Sequence, residues 1–215
     1  MFRIVGSSVG RRGDTIIEVM MALSIFSMIA VGALAVMNRS ISMAQDALES
    51  TLVRNEIDAQ AETLRFLHHA YMAESSPNLA AGTLANKFMD IIKDDNVITD
   101  GTASEFGKPT CITEIPQKAF AVNPINGKLI PSGSIKPMSE AGSGVPPYSQ
   151  LSYPAPTAQP TAHGLWIEGV KSRSVTASGS SEIKPVVDFH IRACWSSAYS
   201  SQPRTIGTIV RLHVK

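Results

Sequence analysis

The chain has 215 residues, 44% of them hydrophobic and 17% charged, with 19 Lys and Arg against 18 Asp and Glu. That near-balance provides no bulk positive charge to hold a nucleic acid through its phosphates. The two cysteines are too few for a disulfide-dense scaffold, and the roughly 140 residues beyond a long N-terminal helix suffice for one modest globular domain.

The N-terminal residues 1–13 carry Arg3, Arg11 and Arg12, no acid, and end in Gly13. Residues 19–37 then hold no charge at all. At about 1.5 Å per residue this run makes nearly 30 Å of helix, the thickness of a bilayer's hydrocarbon core. A secretory signal peptide has a shorter apolar core followed by a small-residue cleavage site. Here the apolar run passes into helix-compatible polar sequence without a terminating Gly or Pro, which predicts a retained membrane span. Basic residues precede it and the next is Arg39, so the bias predicts a cytoplasmic N-terminus and an extracytoplasmic remainder. Glu18 is the anomaly. A carboxylate at the edge of a hydrocarbon span costs free energy unless it reaches the headgroups or finds a partner.

Residues 38–73 lack Gly and Pro and are rich in Ala, Leu, Glu, Gln and Arg. They place Ile57, Ala61, Leu64, His68 and Tyr71 at helical spacing. The pattern predicts a single helix over about 15–73, with its first half in the membrane and its second half packed on a sheet. The stripe is too irregular, and too rich in Ala and Thr, for a coiled coil. Residues 74–215 form the predicted globular domain. Within it, Thr83 caps a short helix near 83–95 bearing Leu84, Phe88, Ile91 and Ile92 on one face. A hairpin follows, 118–122 and 128–130, turning through Asn126 and Gly127. Residues 131–160 are rich in Pro, Ser, Gly and Ala and read as an exposed, partly mobile loop.

Three strands then alternate, 163–170, 185–195 and 205–214, as an antiparallel meander. Val187, Phe189, Ile191, Ala193 and Trp195 share one face with Val210, Leu212 and Val214. Asp188, His190, Arg192, Arg211 and His213 fall on the other. The apolar face is expected to cover the helix stripe, giving an α+β architecture. Cys111 and Cys194 both lie in the exported part, where thiols oxidise, and are expected to pair; two reduced, buried cysteines are the alternative.

Catalytic chemistry finds little support. His68 and His69 are adjacent on a helix and point about 100° apart, with no ligand at i+4. Asp94, Asp95 and Asn96 lack the alternating carboxylates and closing Glu of a calcium loop. Gly142, Ser143 and Gly144 lack the flanking strand and helix of a phosphate loop. No enzyme activity, metal or cofactor is expected.

The stretch from Gly13 through Asp14, Thr15, Ile17, Glu18, Val19, Ala22 and Leu23 resembles the class III leader and helix opening of type IV pilins and related pseudopilins. The resemblance implies cleavage by a prepilin peptidase after Gly13 and N-methylation of Asp14, where the family usually has Phe. It implies that Glu18, fifth in the mature chain, pairs with the terminal amine of a neighbouring subunit. Family members commonly carry a disulfide in the globular domain. The implied role is a filament subunit, minor rather than major, partnered by other pilin subunits, the peptidase, the assembly machinery and, before assembly, membrane lipid. A secretion-system or competence pseudopilin is the alternative within the family. A single-pass membrane protein with an extracellular binding domain is the alternative outside it. Losing three Arg with the leader leaves 16 basic groups against 18 acidic ones, about −2 formally, which disfavours DNA. A local patch would draw on Lys171, Arg173, Lys184, Arg192, Arg204 and Arg211.

Overall fold

The computed structural model describes residues 14–75, 80–99, 101–104, 111–140, 142, 144–153, 159–173, 185–197 and 202–215, except the side chains of Asp14, Thr15 and Arg173. The N-terminal residues 1–13, Lys184 and the Ser/Gly-rich stretch 176–181 lie outside them. One helix, α1, runs over Asp14–Ala73, its 60 residues free of Pro and interrupted by a single Gly, Gly32. The chain divides into two compact units, one up to Gln45 and the other Asp46–Lys215.

In the second unit α1 packs on a mainly antiparallel sheet, an α+β fold. The buried stripe of α1 is Val53, Ile57, Ala61, Leu64, Leu67 and Tyr71, joined by Gln60. His68, expected in that stripe, instead sits at its margin, where its Nε2 meets the His213 carbonyl at 2.9 Å and its ring lies edge-on to Phe88. Leu67 takes the core position. The short helix α2 covers Leu84–Ile91, and the Thr83 hydroxyl accepts from the Asn86 N–H at 3.2 Å, as an N-cap does. Ala85, Phe88 and Ile91 bury its inner face.

The strands in chain order are β1 Val97–Ile98, β2 Phe120–Val122, β3 Leu129–Pro131, β4 Ile135–Lys136, β5 Gln150–Ser152, β6 Thr161–His163, β7 Leu165–Arg173, β8 Pro185–Trp195 and β9 Arg204–His213. The main sheet has the order β3-β2-β7-β8-β9, with β1 pairing parallel to β7. Strands β7, β8 and β9 form the antiparallel meander expected from alternation, in unbroken register. The β2–β3 hairpin extends it, pairing Phe120 with Ile167. Gly127 supplies the positive φ of +67° in the turn.

Two expectations require correction. Residues 131–160 are not one exposed loop, because β4 and β5 flank β6 in a second, three-stranded sheet. Ile135, Leu151 and Ala162 are its buried inward residues. Strands of two or three residues among Pro and Ser produce no alternation long enough to read. The strand expected over 163–170 is in fact split at Gly164, whose φ of +63° turns the chain from the small sheet into the large one. Its N–H donates to the Lys136 carbonyl, and its own carbonyl accepts from the Cys194 N–H, both at 2.8 Å.

Candidate assembly site on the N-terminal helix

The residues singled out around Gly13 divide by position. Gly13 lies outside the described residues, and Asp14 opens α1 with its side chain undescribed. Glu18 stands one turn further on and is exposed. Around it Ile16, Ile17, Val19, Met20, Leu23 and Phe26 are between 57% and 70% exposed. The helix here is apolar on every side, and such a helix is stable only in lipid or in a core supplied by other chains. It is long and apolar enough to cross a membrane.

The other polar side chains in this stretch are satisfied within the helix. The Ser24 hydroxyl donates to the Met20 carbonyl at 2.8 Å and the Ser27 hydroxyl to the Leu23 carbonyl at 2.7 Å. Ser40 and Ser42 do the same one to two turns beyond the apolar run. Serines bonded four residues back carry little penalty in hydrocarbon. Glu18 has no hydrogen-bond or ion-pair partner among the described residues. Among the described side chains of residues 16–37 it is the one with a charge to balance, and apolar surroundings would strengthen its attraction to a cation several-fold over water.

In the second unit the two cysteines are bonded to each other, with Cα atoms 5.6 Å apart. Cys194 projects from the face of β8 turned away from α1, so the bond ties the β1–β2 connection to the sheet's outer surface. A second tie lies on the same face. The Ser104 N–H and hydroxyl both donate to Glu168 Oε1, at 3.1 and 2.7 Å. Glu168 Oε2 accepts from Arg192 Nη1 at 3.0 Å and from the Trp166 indole at 3.3 Å, and Arg192 also donates to the Ser104 carbonyl. Glu168 and Arg192 are both buried. Burial pushes the Arg192 guanidinium below its usual value, and Glu168 opposes that.

Sequence reasoning placed Arg192 on a solvated strand face and missed Glu168. A single acid inside the otherwise apolar 165–170 run, opposite an Arg in a neighbouring strand, was the available signal. It also missed Glu49, whose Oε2 accepts from the buried Trp195 indole at 3.2 Å. Gln60 was missed too: its amide pairs with both backbone groups of Val122, at 2.7 and 2.8 Å.

The remaining candidates have structural partners. Among the conjectured basic patch, Lys171 pairs with Asp94, Arg192 with Glu168, Arg204 with Asp46 and Arg211 with Asp188. Lys184 and the Arg173 side chain lie outside the described residues. The helix expected to run to about residue 95 ends at Ile91, and Asp94–Asn96 form the turn after it, where the Asn96 amide donates to the Asp90 carbonyl at 2.8 Å. No group of three or more His, Cys, Asp or Glu among the described residues is placed to hold a metal. A cleft of about 360 Å³ beside the disulfide is lined by Ile112, Met138, Val145, Pro146 and Ser196, a set with no acid, base or activated nucleophile. Comparison with protein-family models, curated proteins and solved structures returned no match.

Proposed function

We propose that this chain is a non-enzymatic structural subunit, of the minor kind, of a type IV pilus or related filament. Its leader is removed after Gly13, α1 stores it in the membrane with the second unit outside the cytoplasm, and the same helix enters the filament core. The observation that carries the reading is Glu18, an exposed carboxylate at the head of a helical run apolar on every side, five residues beyond a Gly that ends a basic segment. An amine created by cleavage at Asp14 of one subunit supplies the cation that Glu18 of another lacks. At about 4 Å and an effective dielectric near 20 the pair is worth roughly 4 kcal/mol before desolvation, and one member left alone in an apolar core is costly. Cleavage therefore acts as the permit for assembly.

The N-terminal mass of the mature protein tests this directly. A chain beginning at Asp14, methylated or not, is expected, and an intact Met1 overturns the reading in favour of a membrane-anchored protein of another class. Glu18→Ala is expected to leave membrane insertion intact and to cut filament incorporation at least tenfold. Incorporation at the normal level would rule out the proposed pairing.

A further inference from the structure

Among the described residues, the last strand of the main sheet has an open side. Val214 donates its N–H to the Pro185 carbonyl at 2.9 Å, and the β8–β9 register is continuous from Arg204 opposite Trp195 to His213 opposite Val186. In an antiparallel ladder the residues that exchange backbone bonds alternate with those that do not. The even-numbered residues of β9 therefore bond β8. Thr205, Gly207, Ile209, Arg211 and His213 turn their N–H and C=O groups away from the sheet. Of these, the His213 carbonyl is already engaged by His68 at 2.9 Å. Pro203, the next outward position before the strand, has no N–H to offer.

Of the four residues between, only Arg211 carries a charge, and that charge is paired with Asp188 on its own sheet. Residues 205–210 contain no charge and no Pro, the register has no bulge, and Gly207 and Ile209 are exposed, Ile209 to 60%. The opposite edge of the same sheet is β3, only three residues long and ending in Pro131. The open edge is thus confined to β9 and has a definite length.

We propose that this edge pairs with β9 of a second copy of the chain, antiparallel and centred on Thr208. The set of outward residues is symmetric about that position. Thr205 then faces Arg211 and Gly207 faces Ile209, each pair exchanging two backbone bonds. The exposed Ile209 side chain lies over the Gly207 of the partner copy, covering a position with no side chain of its own. Arg211 enters with its charge already held by Asp188, at 2.6 and 2.8 Å, and meets a threonine rather than another arginine. At each end Pro203 stands opposite His213, so the residue that cannot donate meets the carbonyl that is already occupied. An unrelated extended peptide gains the four inner residues but has no such match at the ends. The interface is isologous and closes at two copies. It is independent of the Glu18 pairing and differs from the head-to-tail contacts that extend a filament.

The test uses the full chain in dodecyl maltoside micelles. In the proposed register the two Thr208 residues form a non-bonded pair with Cα atoms about 4.5 Å apart, within reach of a disulfide. Thr208→Cys under mild oxidation is expected to give a covalent dimer whose link maps to residue 208. Adding Ile209→Lys is expected to reduce its yield at least tenfold. Without any new cysteine, Ile209→Lys alone is expected to weaken self-association at least tenfold in sedimentation equilibrium, which keeps the test valid should Thr208→Cys disturb the fold. A link elsewhere, no link, or a dimer indifferent to Ile209→Lys overturns the proposal, the last pointing to association through α1.

Discussion

The folded surroundings of His163 and His190 disfavour their protonated forms, which gives the second unit a pH dependence of definite sign. His163 is buried in β6 with its Nδ1 lacking a partner among the described residues. Burial, reinforced by Lys136, holds its pKa below the ordinary imidazole value of about 6.5. His190 in β8 is lowered by burial and then by Arg192, against the pull of Asp188 and Glu168. Each unfolded imidazole binds its proton at higher pH than the folded one, so the unfolded state carries more protons as pH falls below about 6.5. Stability is therefore expected to be full near pH 7 and to decline towards pH 5. Urea midpoints measured across that range should fall, and a His163→Gln, His190→Gln double variant should flatten the decline. An equal slope in both proteins would show that other groups carry it. Little of this was legible beforehand, because whether a histidine in an alternating strand faces water depends on which connection crosses that face. His190 sat in the polar half of β8 by alternation, yet it shares that half with the buried Arg192 and the disulfide-bonded Cys194.

At the scale of elements, the disulfide and the Ser104 contacts hold one connection at two points, and the disulfide closes a separation of 83 residues. On the chain-entropy model such a loop is worth about 4 kcal/mol. A Cys111→Ser, Cys194→Ser double variant is expected to lose roughly 2–4 kcal/mol in urea unfolding. Limited proteolysis should then cut first in the β1–β2 connection, while an unchanged cleavage pattern would remove the disulfide's role as its fastening. The elements that could be read from sequence are those whose period is long enough to count. The 60 residues of α1 and the nine to eleven residues of β7 and β8 repeat their pattern several times. β4, with two residues, has no period at all, and it forms because Ile135 finds the core beside Ala162 rather than because its sequence demands a strand.

Over the whole chain, large exposed apolar residues concentrate between Ile16 and Leu48, whereas the second unit encloses its own core from Val53 to Leu212. A chain starting at Asp46 retains the Asp46–Arg204 and Glu49–Trp195 contacts. Made in an oxidising compartment, it is expected to be soluble without detergent and to keep its disulfide. Circular dichroism and a thiol count check this, and aggregation or free thiols would mean that the second unit depends on the first. Net charge disfavours nucleic acid at this scale, and the apolar run behind Glu18 was legible as a candidate membrane span. The wiring inside the second unit was out of reach because it depends on pairs such as Gln60 and Val122, which lie 62 residues apart.

Gly164 has a consequence for how that unit comes apart. One backbone residue accepts from β8 and donates to β4, and a Cβ placed there would lie 2.5 Å from the Cys194 carbonyl and 2.7 Å from the Ser149 hydroxyl. The two sheets meet at this residue, are tied again where the Ser149 hydroxyl donates to the Cys194 carbonyl at 3.1 Å, and share one core. Heating is expected to give one cooperative transition for residues 46–215, with equal calorimetric and van't Hoff enthalpies. Gly164→Ala should lower its midpoint and separate it into two, the small sheet leaving first.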